Sequence, residues 1–314
     1  MATRSSQPGR PARRLAPGSA PGAAHGGAPR PRRRESENRD GPSPGTEFIY
    51  GRNPVREALR GRRRVHAVLV AMGEGGEGLE RSLQDWCADA SCAVPAVQRL
   101  PAGELSSRLR TGDHQGIAAE VDPYPYLDLE VVLRDHTLLV ALDEIQDPHN
   151  LGAVIRTAEE TGAGVLIPRH RAAEVTAAVV KASAGASEHA AVVRVRNLAD
   201  SLVQAKEAGF WIYGAASGAD SLYTSQDYEY PTCFVVGSEG EGLGRRVASL
   251  CDVMVGLPLA GRVGSLNVSV STGVLLYEAL RQRGAQAAAR TATQGAAPGA
   301  TRPPGPGAAS PDDA

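Results

Sequence analysis

Two textures of apolar and polar residues divide the middle of the chain. From residue 48 the apolar runs are short. Phe48-Ile49-Tyr50-Gly51 predicts a strand, and Asn53 before Pro54 predicts the start of a helix from Val55 to about Gly61, with Pro at the first helical position. A strand over Val65–Val70, a helix over Leu79–Asp89 and a strand over His114–Val121 complete a small α/β unit. Pro123 and Pro125 then mark a linker over 123–136. From Leu138 the texture changes. Leu138-Leu139-Val140-Ala141-Leu142 is the continuous apolar run of a strand buried on both faces. Leu151, Val154, Ile155 and Ala158 follow at helical spacing within Leu151–Thr161. The alternation continues: strand Val165–Pro168, helix Glu174–Ser183, strand Ala191–Val195, helix Leu198–Ala208 and strand Phe210–Gly214. Strands Cys233–Val236 and Val253–Leu257 and a final helix from about Asn267 to Arg283 end the pattern. Such alternation predicts a parallel α/β sheet that binds ligands at the carboxyl ends of its strands.

The two ends have a different composition. Of 22 prolines, eight fall in residues 1–45 and five in 284–314, and both ends are poor in branched apolar residues. Such segments bury too little surface to offset ordering entropy, so a disordered arm (1–45) and tail (284–314) are expected. Between them lie an α/β unit over 46–122, the linker, and a larger α/β domain over 137–283. The net charge of −1 conceals nine arginines in the arm, which suggests a polyanionic partner or a solubilising extension. With only two lysines in the chain, Lys181 and Lys206, part of the arginine bias is general.

Several classes are excluded on the same grounds. Cys87, Cys92, Cys233 and Cys251 lack CxxC spacing, and the seven histidines form no HxxxH or HExxH pair. Reduced thiols in a cytoplasmic protein without a metal centre are the expectation. No apolar run reaches the ~18 residues of a membrane span. The Arg-rich start superficially resembles an organellar transit peptide, but its Pro and Gly would break the amphipathic helix such a peptide needs.

Three loops at strand carboxyl ends hold most of the polar residues. The first, Asp143 to Gly152, runs into a helix carrying Arg156. Asn150 occupies a capping position there, whereas Arg156 sits near a helix N-terminus, where a cation is disfavoured by the dipole and calls for an anionic partner. The second loop, Gly237 to Gly244, is rich in glycine. A P-loop would need Lys-Ser/Thr after Gly242, where Leu243-Gly244 stands, and a dinucleotide motif would need glycine at position 245, which is Arg245. Its acidity favours a cationic or zwitterionic ligand approached by backbone. In the third, Leu257 to Val270, Ser265, Asn267 and Ser269 crowd a helix start that needs one cap; the surplus points to ligand contacts.

These loops closely resemble the three motifs of the SpoU/TrmH family of knotted RNA ribose 2′-O-methyltransferases. The matching residues are Asp147-Pro148-His149-Asn150-Leu151-Gly152 with Arg156, then Gly237-Ser238-Glu239-Gly240 with Gly242, then Leu257-Pro258 and Ser265-Leu266-Asn267-Val268-Ser269. The resemblance covers residues 137–283. Gly51-Arg52-Asn53-Pro54-Val55 and His114-Gln115-Gly116 further resemble the L30e-like substrate domain of the bacterial 23S rRNA guanosine-2′-O-methyltransferase branch (RlmB type).

The resemblance implies a deep trefoil knot, which the alternation alone would not suggest because connections are generally unknotted. It implies S-adenosylmethionine held by Gly237, Leu257 and Leu266, and methyl transfer to a ribose 2′-hydroxyl, that of a guanosine in 23S rRNA. It assigns catalysis to Arg156, supported by Asn150, Glu239, Ser265 and Asn267. A guanidinium with a pKa above ~12 is a poor general base. Binding phosphate and steadying the 2′-oxyanion suits Arg156 better. It also implies a homodimer formed by the knotted region; Val274, Leu275, Tyr277 and Leu280 give the last helix apolar positions on more than one face. Arg52, Arg56, Arg60, Arg62, Arg63 and Arg64 are the expected RNA-phosphate contacts, and Tyr50 a stacking platform for an unpaired base. The competing expectations are a tRNA or another rRNA site as substrate, and a catalytically inactive RNA-binding assembly factor.

Overall fold

The computed structural model describes residues 41–73, 76–238, 240, 242–262 and 264–295, with side chains to 286. The arm up to residue 40 and the tail beyond 295 lie outside the described residues, as does Glu239.

The smaller part is built from β1 (Glu47–Tyr50), α1 (Arg52–Arg60), β2 (Val65–Met72), α2 (Gly76–Asp89), β3 (Ala96–Pro101), α3 (Ala102–Leu109) and β4 (Ile117–Val121). Its four strands lie in the order β1-β4-β2-β3, antiparallel except for the β2–β3 pair. Val55 and Leu59 of α1 and Leu79, Leu83 and Cys87 of α2 pack with Ile49, Val68, Val70 and Ile117 of the sheet. Leu105 of α3 packs beneath Leu69 and Ala118 on the opposite face. The pair β3–α3 is absent from the sequence expectation for a physical reason. β3 is an edge strand with no buried residue, and Leu105 is the single buried residue of α3, so neither leaves a strong apolar period.

The larger part comprises α4 (Leu129–Asp135), β5 (Leu138–Asp143), α5 (Pro148–Thr161), β6 (Gly164–Pro168), α6 (Ala177–Ala182), β7 (Val192–Val195) and α7 (Leu198–Glu207). It continues through β8 (Trp211–Ala215), β9 (Ser221–Leu222), β10 (Thr232–Gly237), α8 (Arg245–Ala248), β11 (Val253–Gly256) and α9 (Val268–Gly295). The strands form one parallel sheet in the order β7-β6-β5-β10-β8-β11-β9. Successive residues of β5 point to opposite faces. Val140 and Leu142 join the core beneath α5, α6 and α9, whereas Leu139 and Ala141 join the one beneath α4, α7 and α8. α9 buries Val268, Thr272, Leu275, Leu276 and Ala279, a stripe of helical period. It runs on to Gly295, so the tail expected to begin at 284 starts in helix.

The linker expectation needs a larger correction. Tyr124 is buried and donates its hydroxyl to the Ser187 carbonyl at 2.8 Å. The Tyr126 hydroxyl accepts from the Val175 N–H at 2.9 Å. Leu127 bridges Val193 in parallel, and α4 follows within the segment. The prolines punctuate a strap sealed onto the larger part, and one hydrophobic cluster runs from Ile49 to Ala279 through both parts.

Candidate active site

All three polar loops leave the sheet at its carboxyl edge, because β5, β10, β8 and β11 are consecutive neighbours there. The first loop leads into α5, which starts earlier than its apolar period indicates. Asp147 is the N-cap, its carboxylate accepting from the His149 N–H at 3.0 Å, and Pro148 opens the helix. Asn150 is therefore within the first turn and free of capping duty. Its Oδ1 accepts a hydrogen bond from Asn267 Nδ2 at 2.9 Å. Asn267 in turn caps α9, Oδ1 accepting from the Ser269 N–H at 2.9 Å and from its hydroxyl at 2.6 Å. Ser269 thus belongs to the cap. The amide of Asn267 joins the third loop to the first.

Gly237, at the end of β10, pairs with Asp143 of β5. A β-carbon on Gly237 would overlap the Gly242 carbonyl and come within 2.7 Å of the Leu243 nitrogen, so the loop can fold back only over glycine. A Ser238–Gly242 bridge and positive φ at Gly240 and Gly242 complete the turn. Asp143 fixes the far side of this loop, accepting from the Gly244 N–H at 2.8 Å. Burial pushes the Asp143 carboxyl up from its ordinary range, and the Gly244 N–H works against that shift by favouring the charged form. In the third loop the Ser217 hydroxyl donates to the Gly264 carbonyl at 2.6 Å.

Gly237, Leu257, Ser265 and Leu266 line one cavity of about 540 Å³. Ala215 at the end of β8 and Ala216 and Ser217 just after it also line it. Their signal in the sequence is the run of small residues Gly214 to Gly218 at a strand end, which carries no polar surplus to set it apart as a binding loop. Among the described residues the wall is backbone and small or apolar side chains, without Lys or Arg, and it suits an adenosine and a methionine chain carrying no phosphate. A second cleft of about 550 Å³ adjoins it, sharing Ser238 and Val268, and is lined by Asn150, Asp147, Glu144 and Arg171. Asn150 and Asn267 therefore meet beside an apolar cavity and a polar cleft.

Arg156 lines neither. Its side chain is exposed on α5 and lies 3.4 Å from Glu160 one turn on, so its anionic partner is a surface carboxylate. The Tyr277 hydroxyl of α9 donates to the other Glu160 oxygen at 3.3 Å. Among the described residues no group of three His, Cys, Asp or Glu is placed to hold a metal ion, and no helix is long and apolar enough to cross a membrane.

The expected RNA-binding arginines separate. Arg63 is removed from the set: its guanidinium is buried, donating from Nε to Glu188 at 2.9 Å and also pairing with Glu47. It lies over the Tyr124 ring, 5.5 Å from the centroid, where no phosphate can reach it. Arg62 donates to the Ala190 carbonyl, Arg56 pairs with Glu57 at 2.8 Å and Arg60 with Asp89 at 3.2 Å. Arg52 and Arg64 stand exposed.

Comparison with known proteins agrees with this geometry. Residues 137–277 match the SpoU rRNA Methylase family, and residues 48–127 match the family described as RNA 2′-O ribose methyltransferase substrate binding. A putative TrmH family tRNA/rRNA methyltransferase of Bacillus subtilis is 37% identical over 248 residues, covering 76% of this chain and 96% of its own. An uncharacterized tRNA/rRNA methyltransferase of Mycolicibacterium gilvum is 42% identical over 258 residues, covering 80% and 81%. Among solved structures, the SpoU methyltransferase AviRb of Streptomyces viridochromogenes in complex with AdoMet superposes with a TM-score of 0.63 at 26% identity, covering 77% of this chain and 92% of that one. Fold and site together define a methyltransferase that uses S-adenosylmethionine and acts on RNA. The chain belongs to the SpoU/TrmH family.

Proposed function

We propose that the protein is a homodimeric ribose 2′-O-methyltransferase of the knotted type, acting in the cytoplasm on a guanosine of 23S rRNA. The observation that carries the chemistry is the Asn150–Asn267 hydrogen bond, which ties the polar cleft to the apolar cavity. When bound, S-adenosylmethionine supplies a methyl group on a sulfonium centre. Gly237, Leu257 and Leu266 would hold it in the apolar cavity, largely through backbone groups. Asn150, Asn267 and Ser265 then face the ribose and fix the 2′-oxygen for in-line attack, where orientation accounts for much of the rate. The 2′-oxygen so held would be the acceptor of that methyl group, and its proton would pass to water. Arg156, always charged, steadies the RNA phosphate and the developing oxyanion. Glu239 belongs to the same proposed set.

The dimer reading draws support from α9, where Val270, Tyr277 and Leu280 lie on one exposed face that continues to Glu160 and Arg156. Arg156 is then at the subunit boundary, which accounts for its absence from the cavities of a single chain. For the guanosine and the large subunit, the support is the match of Gly51 to Val55 and His114 to Gly116 with that branch of substrate domain. Methyl incorporation from labelled cofactor into 23S rRNA of cells lacking the gene, followed by mapping of 2′-O-methylated positions, tests the reading. Label in tRNA alone would move the substrate, and label in no RNA would leave an RNA-binding factor.

A further inference from the structure

Three hollows follow one another along the carboxyl edge of the seven-stranded sheet. The apolar cavity lies over β8, β10 and β11, and the polar cleft over the gap between β5 and β10. The third is an open groove of about 940 Å³ over the ends of β5, β6 and β7, floored by Asp143, Pro168 and Val195. Glu144 lines both the groove and the polar cleft, so the series is continuous.

Four arginines and four carboxylates line the groove, and they differ in how far each is already paired. Arg196 leaves the end of β7, and Arg245 opens α8 directly after the second loop. Both are exposed, and among the described residues neither side chain has a hydrogen-bond or ion-pair partner. The acidic lining is mostly spent. Asp200 is paired with Arg246 at 2.6 Å, Glu144 with Arg171 at 3.2 Å, and Asp143 is engaged by Gly244. Asp128 at the strap end is the exception. Among the described residues no Phe, Tyr or Trp lines the groove, and His170 is its one aromatic ring, so cations outweigh stacking surface. That is a path for a phosphate backbone and a poor site for a free nucleotide.

We propose that this groove carries the single-stranded RNA phosphates flanking the methylated nucleotide, on the side of the cleft away from the cofactor. The inference rests on the reading of the chain as an RNA ribose methyltransferase and assigns RNA contacts to Arg196 and Arg245, far in sequence from the arginines of α1. Two unpaired guanidiniums lie on the same edge as the cleft. A strand whose ribose enters that cleft has this groove as its continuation along the edge on the side away from the cofactor cavity.

Equilibrium binding to a single-stranded RNA of about 20 nucleotides, with KCl varied and no methyl transfer required, tests this on the full chain. Each lost phosphate contact removes about 0.7 from the slope of log affinity against log salt. Arg196→Ala and Arg245→Ala should each do so, and Arg196→Lys should retain the slope because lysine still binds phosphate as a point charge. S-adenosylmethionine affinity, measured by calorimetry, should stay within twofold for Arg196→Ala, since Arg196 follows β7, the strand at the opposite side of the sheet from that cavity. An unchanged slope in Arg196→Ala overturns the proposal, whatever Arg245→Ala does. Failure of ribose methylation with these slope losses intact would overturn the activity reading and leave the groove standing.

Discussion

Arg63 and Glu188, 125 residues apart, form a buried ion pair whose two side chains retain 1% and 0% of their solvent exposure. The pair joins the segment after α1 to the short turn Ala186–Glu188 of the larger part. Glu47 and the Tyr124 ring close the remaining sides of the guanidinium. Glu47 would still balance Arg63 if Glu188 were removed, but removing Arg63 leaves the Glu188 carboxylate buried and uncompensated, which typically costs ~3–5 kcal/mol. Arg63→Gln should therefore lower unfolding stability by about that amount in urea titration. Arg64→Gln, one residue along and exposed, should change stability by less than ~0.5 kcal/mol while weakening RNA binding. Equal stability effects would deny the pair its structural role.

The burial of Arg63 also marks a limit of sequence reading. Six arginines in a short span look alike as text, and the partner that distinguishes Arg63 lies in a distant turn. What was legible had local physical causes. The parallel sheet showed in runs such as Leu138–Leu142, and α5 in the spacing of Leu151, Val154, Ile155 and Ala158, because burial of those residues repeats with the backbone period. The strap was misread because Tyr124 and Tyr126 act through hydrogen bonds to residues 187 and 175. The three loops were legible through their polar surplus. Their convergence was not, since it follows from the non-sequential order β5-β10-β8-β11.

Gly237→Ala tests the fold of the second loop. The added carbon would strike backbone of Gly242 and Leu243, which cannot rotate away, so the loop must shift. S-adenosylmethionine affinity should fall at least about tenfold, or ~1.4 kcal/mol. The buried sheet should hold Tm within a few degrees. Calorimetric titration against cofactor reads the first and thermal unfolding the second. Cofactor binding at wild-type strength would remove Gly237 from the site.

Asn267 holds two posts and Asn150 one, so their alanine variants should differ. Asn267→Ala loses the α9 cap, worth ~1 kcal/mol, together with the hydrogen bond to Asn150. Asn150→Ala, away from the cap, should leave stability nearly unchanged and reduce kcat alone. Chemical denaturation beside single-turnover methylation separates the two. Identical stability losses would mean that Asn150 also supports the fold.

The four thiols should differ sharply. Burial pushes the Cys87 and Cys251 thiols up to about 11, and pushes the wholly buried Cys233 thiol up further. At pH 8 these three stay protonated, and Cys87 and Cys233 are buried as well, whereas Cys92 and Cys251 are partly exposed. Native protein should therefore release about one equivalent of chromophore rapidly from a disulfide reagent, and four after denaturation. A second rapid equivalent would mean that the raised pKa of Cys251 does not protect it.

Arg156 decides between two mechanisms. Exposed on α5 and balanced against Glu160, it keeps a full positive charge available to an incoming phosphate or oxyanion. If it steadies the developing 2′-oxyanion, Arg156→Ala should lower single-turnover methylation by on the order of 10²–10³ while S-adenosylmethionine affinity stays unchanged, since the cofactor cavity does not include it. Arg156→Lys should recover little, because an ammonium lacks the planar fork that spans phosphate and oxygen together. A general base predicts the opposite. Lysine, with its lower pKa, would accept the proton and restore the rate progressively as pH rises. Glu160→Gln adds a control: freeing the guanidinium from its surface partner should leave the rate unchanged or raise it for a stabiliser. A pH profile of methylation for wild type and these variants distinguishes the two. Recovery of Arg156→Lys toward the wild-type rate at high pH would establish proton transfer and displace the electrostatic role.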